Sequence, residues 1–173
     1  MESLDADFDA ETSAEIASLA QRRGWQVAAH DRMRALDDRA YRLAIDEYAA
    51  GLRVLLPLTE ESRVLVLRCG WGAVALGLAE CTDHVVAVDD RESRLRFLAA
   101  RREQARTATL QIVQGCLTSG LPFGGEAFDA AILLDTIERV PGRDQAAALV
   151  AVRRVLVPGG SLLLGVPNRI GIV

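Results

Sequence analysis

The chain has 173 residues, half of them hydrophobic, and a net charge of −4. That length supports one domain with a substantial core, and the acidic balance leaves no electrostatic footprint for nucleic acid. All 20 basic residues are arginine, which alongside abundant alanine and glycine reads as codon usage in a GC-rich, bacterial genome. Cys69, Cys81 and Cys116 form no C-x-x-C pair and His30 and His84 are the two histidines, so no metal site is expected. No apolar run reaches membrane-spanning length, and the acidic start MESLDADFDAE lacks the pattern of a signal peptide. A cytoplasmic protein with reduced thiols is therefore expected, with no membrane and no nucleic acid among its partners.

Residues 1–11 are acidic and expected to fray. The spacing predicts a helix over residues 12–23, with Thr12 or Ser13 as N-cap, Ile16, Leu19 and Ala20 on one face, and Gly24 at its end. Residues 25–34 show no clear period. Residues 38–56 predict an amphipathic helix, with Tyr41, Ala44, Ile45, Tyr48, Leu52, Leu55 and Leu56 at helical spacing and Pro57 as its stop. That stripe reads as a lid on the sheet edge more readily than as a substrate-reading helix. Residues 1–57 are thus expected to form a helical cap and residues 58–173 the core.

From Ser62 onward short apolar runs alternate with helical segments, the pattern of a parallel sheet covered on both faces. Strands are expected at residues 63–67, 84–88, 110–113, 130–134 and 161–166, and helices at 73–80, 91–106 and 144–156. Right-handed crossovers give a three-layer α/β/α Rossmann-like fold with strand order 3-2-1-4-5 and a switch point between the first and fourth strands. On the second of these helices Leu95, Leu98 and Ala99 predict the face toward the sheet. Arg91, Arg94, Arg96, Arg101, Arg102 and Arg106 are then expected in solvent.

The chain is organised around Val64-Leu65-Val66-Leu67-Arg68-Cys69-Gly70-Trp71-Gly72, a strand followed by a glycine turn and a helix start. Such a turn presents backbone N–H groups to a ligand, and Gly70 and Gly72 let it come close. Asp89, at the end of the second strand, suits the two hydroxyls of an adenosine ribose, while Asp90 suits the cap of the next helix. Gly70, Gly72, Asp89, Cys116 and Asp135 all fall at the carboxyl edge of the sheet.

With VVAVDD at residues 85–90, LPFGGEAFDAAILLDTIERV at 121–140 and RRVLVPGGSLLLGVPN at 153–168, this stretch resembles the class I S-adenosylmethionine-dependent methyltransferases over about residues 40–168. The resemblance implies S-adenosylmethionine as cofactor, S-adenosylhomocysteine as product and a small-molecule methyl acceptor. It implies a cofactor site drawn from Arg68, Cys69, Gly70, Gly72, Asp89, Asp90, Cys116, Leu117 and Asp135, and no catalytic residue is assigned. The chain departs from the family pattern at Val66, where an acid is usual, at Arg68, where a glycine is usual, and at Cys116, where an acid usually meets the adenine amino group. Trp71 stands for a small or hydroxylated residue, and Glu138-Arg139-Val140 for Glu-His-Val. These departures keep a second reading open, a catalytically degenerate domain that binds a partner or serves as a scaffold. The family's last strands are missing from this sequence. The fifth strand's apolar edge is therefore expected to be covered by a second copy in a homodimer, a partner chain or the N-terminal helices, or else the chain is a fragment.

Overall fold

The structure is a computed structural model that describes residues 8–166. Its five parallel strands are β1 (Arg63–Leu67), β2 (His84–Asp89), β3 (Leu110–Gln114), β4 (Phe128–Leu134) and β5 (Leu156–Gly165), in the order β3-β2-β1-β4-β5. Alternation along β1 sends Val64 and Val66 to one face and Leu65 and Leu67 to the other. Both faces are covered, which is why the strand reads as an unbroken apolar run. On one side Val64 and Val66 join Ala75, Leu78, Leu95 and Leu98 from the helices α5 (Ala73–Leu78) and α6 (Glu92–Ala105). On the other, Leu65 and Leu67 join Ala148, Val152 and Val155 of α7 (Gly142–Val155).

The N-terminal region differs from expectation in three places. Helix α1 (Ala10–Arg23) is capped by Asp9, whose carboxylate accepts the Thr12 N–H at 2.7 Å, rather than by Thr12 or Ser13. Residues 25–34, without a readable period, are helical: α2 (Trp25–Ala28), a wider π turn over Ala29–Met33, and α3 (Arg34–Leu36). A π turn shifts the inward face by one residue, which blurs a 3.6-residue pattern. The long amphipathic helix is broken into α4 (Asp38–Ile45) and a 3-10 segment, Glu47–Leu55. Its tighter winding rotates the stripe, so that Leu55 is exposed while Leu56 is buried. The side chain of Tyr48 lies outside the described residues.

Two other corrections concern boundaries. β5 begins at Leu156, ahead of the Pro158-Gly159-Gly160 turn, because that turn is a bulge inside the strand. Phe128 pairs with Leu156 and Ala130 already pairs with Ser161. Gly142 opens α7 directly after Pro141. Pro167 and Asn168, expected to protect the end of β5, lie outside the described residues.

Two of the six arginines placed in solvent are buried. Arg94 is 1% exposed and Arg101 is 7% exposed. Helix α6 has two buried faces, one on the sheet through Leu95 and Leu98, and one on the N-terminal helices through Phe97 and Ala100. Arg94 and Arg101 flank Phe97 at helical spacing and go in with it.

Candidate cofactor site at the carboxyl edge

Strand register brings the ends of β1, β2, β3 and β4 to one level, since Leu67 is paired with both Val88 and Leu133, and Asp89 with Gln114. The first residues past two central strands, Arg68 and Asp135, both have left-handed backbones, with φ of 48° and 46°. Non-glycine residues rarely adopt that region, and such strain concentrates at functional turns. Arg68 thus keeps the geometry of a glycine while carrying a side chain. Changing Arg68→Gly is expected to raise stability by about 1 kcal/mol, because the left-handed penalty disappears. Chemical denaturation checks this, and unchanged or lower stability would show that the side chain holds the turn.

The two glycines of the turn have different jobs. Gly70 has φ of 57°, and a Cβ built there meets nothing within 4 Å, so its backbone is open to close approach by a ligand. Gly72 has φ of 91°, and a Cβ there would lie 2.2 Å from Leu98 Cδ1. Gly72 is thus specified by packing against Leu98. Between them Trp71 is 7% exposed. Its ring packs 5.2 Å from Phe97 and 6.1 Å from Phe8, and the Arg94 guanidinium lies 5.9 Å from the ring centre. Cys69 donates its N–H to the Val88 carbonyl, and burial pushes its thiol pKa far up, so the thiol stays protonated.

Asp89 is completely buried. Its Oδ2 accepts the Gly70 N–H at 3.0 Å and its Oδ1 accepts the Arg91 N–H at 3.0 Å. Arg94 Nη1 lies 3.7 Å from Oδ2. Burial pushes the Asp89 carboxyl pKa up, against the pull of Arg94 and the two amides. Asp90 does not supply the expected cap: the N-cap of α6 is Arg91, with no side-chain cap hydrogen bond. Asp89 instead ties the glycine turn to the end of β2 and holds the Arg91 N–H just ahead of the helix.

Asp90, Arg68, Cys116 and Leu117 come together around one cavity of about 190 Å³, with Thr136 and Arg139 on its other wall. The Thr118 hydroxyl, 3.1 Å from Cys116 Sγ, holds the Cys116 thiol below its usual pKa. Asp135 stands beside the cavity rather than in its wall. Its N–H donates to the Gly165 carbonyl, and its carbonyl accepts from Arg139 Nε at 2.9 Å. Arg139 and Arg94 were not singled out from the sequence. Arg139 shows only as the residue in histidine's place, and Arg94 could have been found from Phe97, which marks a second apolar face on α6.

A family model for a methyltransferase domain matches residues 64–160, and the chain belongs to that family. The family assignment carries S-adenosylmethionine as cofactor and S-adenosylhomocysteine as its product. A ubiquinone biosynthesis O-methyltransferase of Alkalilimnicola ehrlichii is 33% identical over 64% of this chain and 43% of its own length. The chain spans less than half the length of the ubiquinone biosynthesis O-methyltransferases it matches. Among solved structures, a phosphoethanolamine N-methyltransferase of Haemonchus contortus, in complex with phosphoethanolamine and S-adenosylhomocysteine, superposes with a TM-score of 0.64 at 18% identity, covering 90% of this chain and 31% of that one. The [4+2]-cyclase SpnF superposes with a TM-score of 0.60 at 21% identity, covering 87% and 51%. At such identities the likeness is one of fold, and one fold hosts more than one chemistry.

The residues fit this cofactor in part. The open backbone at Gly70 suits its approach. Asp89 is not presented to a ribose here, because two amides and Arg94 surround it and no part of it is exposed. The cavity is also below the roughly 300–1,000 Å³ of typical ligand sites.

Proposed function

We propose that the chain carries the cofactor-binding part of an S-adenosylmethionine-dependent methyltransferase acting on a small molecule in a bacterial cytoplasm, with residues 1–57 as its lid. The observation that supports this most is the Gly70 turn at the switch point, open at its Cβ position and tied by Asp89 to the end of β2. Bound there, the cofactor supplies a methyl group on an electrophilic sulfonium. The chain's part is to hold it in line with the acceptor, which needs no dedicated acid or base. Ribose binding requires its hydroxyls to reach Asp89 in place of Arg94. Calorimetric titration with S-adenosylmethionine and S-adenosylhomocysteine tests this, with binding of both at micromolar levels as the expected result.

The second reading is a degenerate domain with a partner-binding or scaffolding role, and it is favoured by the sealed state of Asp89. Val66 adds to it, since the usual acid is replaced here by a valine embedded in an apolar cluster. No heat with either cofactor form at millimolar concentration would select this reading. In either case, we propose that the outer edge of β5, which pairs with no further strand among the described residues and where Leu164 is exposed, is covered by a second copy or a partner chain. Sedimentation at micromolar concentration is expected to show a species larger than the monomer if the cover is a second copy, and a monomer would leave only a different partner.

A further inference from the structure

A second cavity, of about 570 Å³, lies between the N-terminal helices and the outer face of α5. It falls within the range of ligand sites and shares no residue with the cavity at the strand ends. Trp25, Tyr41 and Ile45 line one side and Leu76 the other, and Arg101 reaches it from α6.

Arg101 is the unusual member. Its guanidinium stacks 4.2 Å from the centre of the Trp25 ring. Nη1 donates to the Ala44 carbonyl, which belongs to α4, and to the Trp71 carbonyl of the glycine turn at 2.9 Å. Nε is buried and has no acceptor among the described residues. None of the described carboxylates pairs with this cation. Burial pushes its pKa down to about 10. Among the described residues its hydrogen-bond and stacking partners are neutral carbonyls and a ring face, a costly setting for a buried cation that an anion would relieve.

The shape and charge of the cavity narrow the anion's class. The planar guanidinium edge beside Nε matches a carboxylate in bidentate fashion. Aromatic and aliphatic walls suit an apolar body. Asp46 and Glu80, both exposed, also line the cavity and would repel a doubly charged group such as a phosphate more than a single carboxylate. We propose that this cavity binds a small arenecarboxylate, with the carboxylate on Arg101 and the ring against Trp25 and Tyr41. The site stands independently of the methyltransferase reading. Because Arg101 also holds the Ala44 and Trp71 carbonyls, its occupant sits at the joint between the helical cap and the glycine turn.

The test is titration of the whole, isotope-labelled chain with benzoate, benzyl alcohol and phenyl phosphate, following the Trp25 indole N–H and the amides of residues 73–77. Benzoate is expected to give saturable shifts at millimolar concentration or below, with the neutral alcohol and the phosphate each at least about tenfold weaker. Arg101→Leu should abolish the benzoate shifts. Leu76→Trp, which fills the cavity and leaves Arg101 in place, should do the same and decides the matter if Arg101→Leu does not fold. Equal binding of benzoate and benzyl alcohol, absence of saturable shifts at these residues, or undiminished benzoate binding in Leu76→Trp would each overturn the proposal.

Discussion

Asp89→Ala is expected to lower folding stability by about 3–5 kcal/mol, since removing one partner of a buried ion pair strands the other. Two losses act together. The Arg94 guanidinium, 1% exposed, loses the carboxylate that faces it. The Gly70 and Arg91 N–H groups, both part-buried, lose their acceptor. Urea unfolding measures the change. The double variant Asp89→Ala with Arg94→Met should be less destabilised than the sum of the two single changes, by about 0.5–3 kcal/mol, because it removes the stranded charge as well. Simple additivity would mean that the pair contributes nothing as a pair. Cofactor binding by Asp89→Ala is interpretable only alongside this measurement, since a partly unfolded variant binds weakly for reasons unrelated to the ribose.

Gly72→Ala should be nearly as damaging, although it adds one methyl group. That methyl would stand 2.2 Å from Leu98 Cδ1 and 3.1 Å from Leu98 Cγ. Leu98 is wholly buried in the cluster between α6 and the sheet, so making room for the methyl means shifting a core side chain. Overpacking of this kind costs about 1–3 kcal/mol, and the left-handed backbone at φ 91° adds about 1–2 kcal/mol for any side chain. Gly70→Ala, with the same backbone demand and open space around it, should lose only the backbone part. Thermal unfolding of the two variants separates these contributions. Equal losses at both positions would show that Leu98 yields and that Gly72 is not specified by packing.

The strands were legible because each is buried on both faces and reads as a short apolar run between turn residues. Strand order followed from the handedness of parallel crossovers. The start of β5 was not legible, because a Pro-Gly-Gly sequence signals a turn and a bulge within a strand uses the same residues. In the site, the placement of Arg68, Asp90, Cys116 and Leu117 around one cavity could be read from their positions just past strand ends. The state of Asp89 could not, because its partners Gly70 and Arg94 lie on different elements, and Arg94 was assigned to solvent by its charge. The same assumption hid Arg101. A charge pattern alone does not tell an arginine on an exposed face from one drawn under a second layer of helices, and only Phe97 between them hints at that layer. Val66→Asp illustrates the same limit. Restoring the family's acid there, in an apolar cluster formed with Ala75, Leu78 and Ile132, would bury a carboxylate among groups that offer it nothing.

Titration of the isotope-labelled chain with S-adenosylhomocysteine, followed by amide shifts, tests the proposed cofactor site most directly. The expected result is saturable shifts centred on Gly70, Asp90, Arg91 and Leu117, together with a change at the Arg94 side chain as its contact with Asp89 is exchanged for the ribose. Shifts confined to other parts of the chain, or none at millimolar ligand, would contradict cofactor binding at this sheet edge.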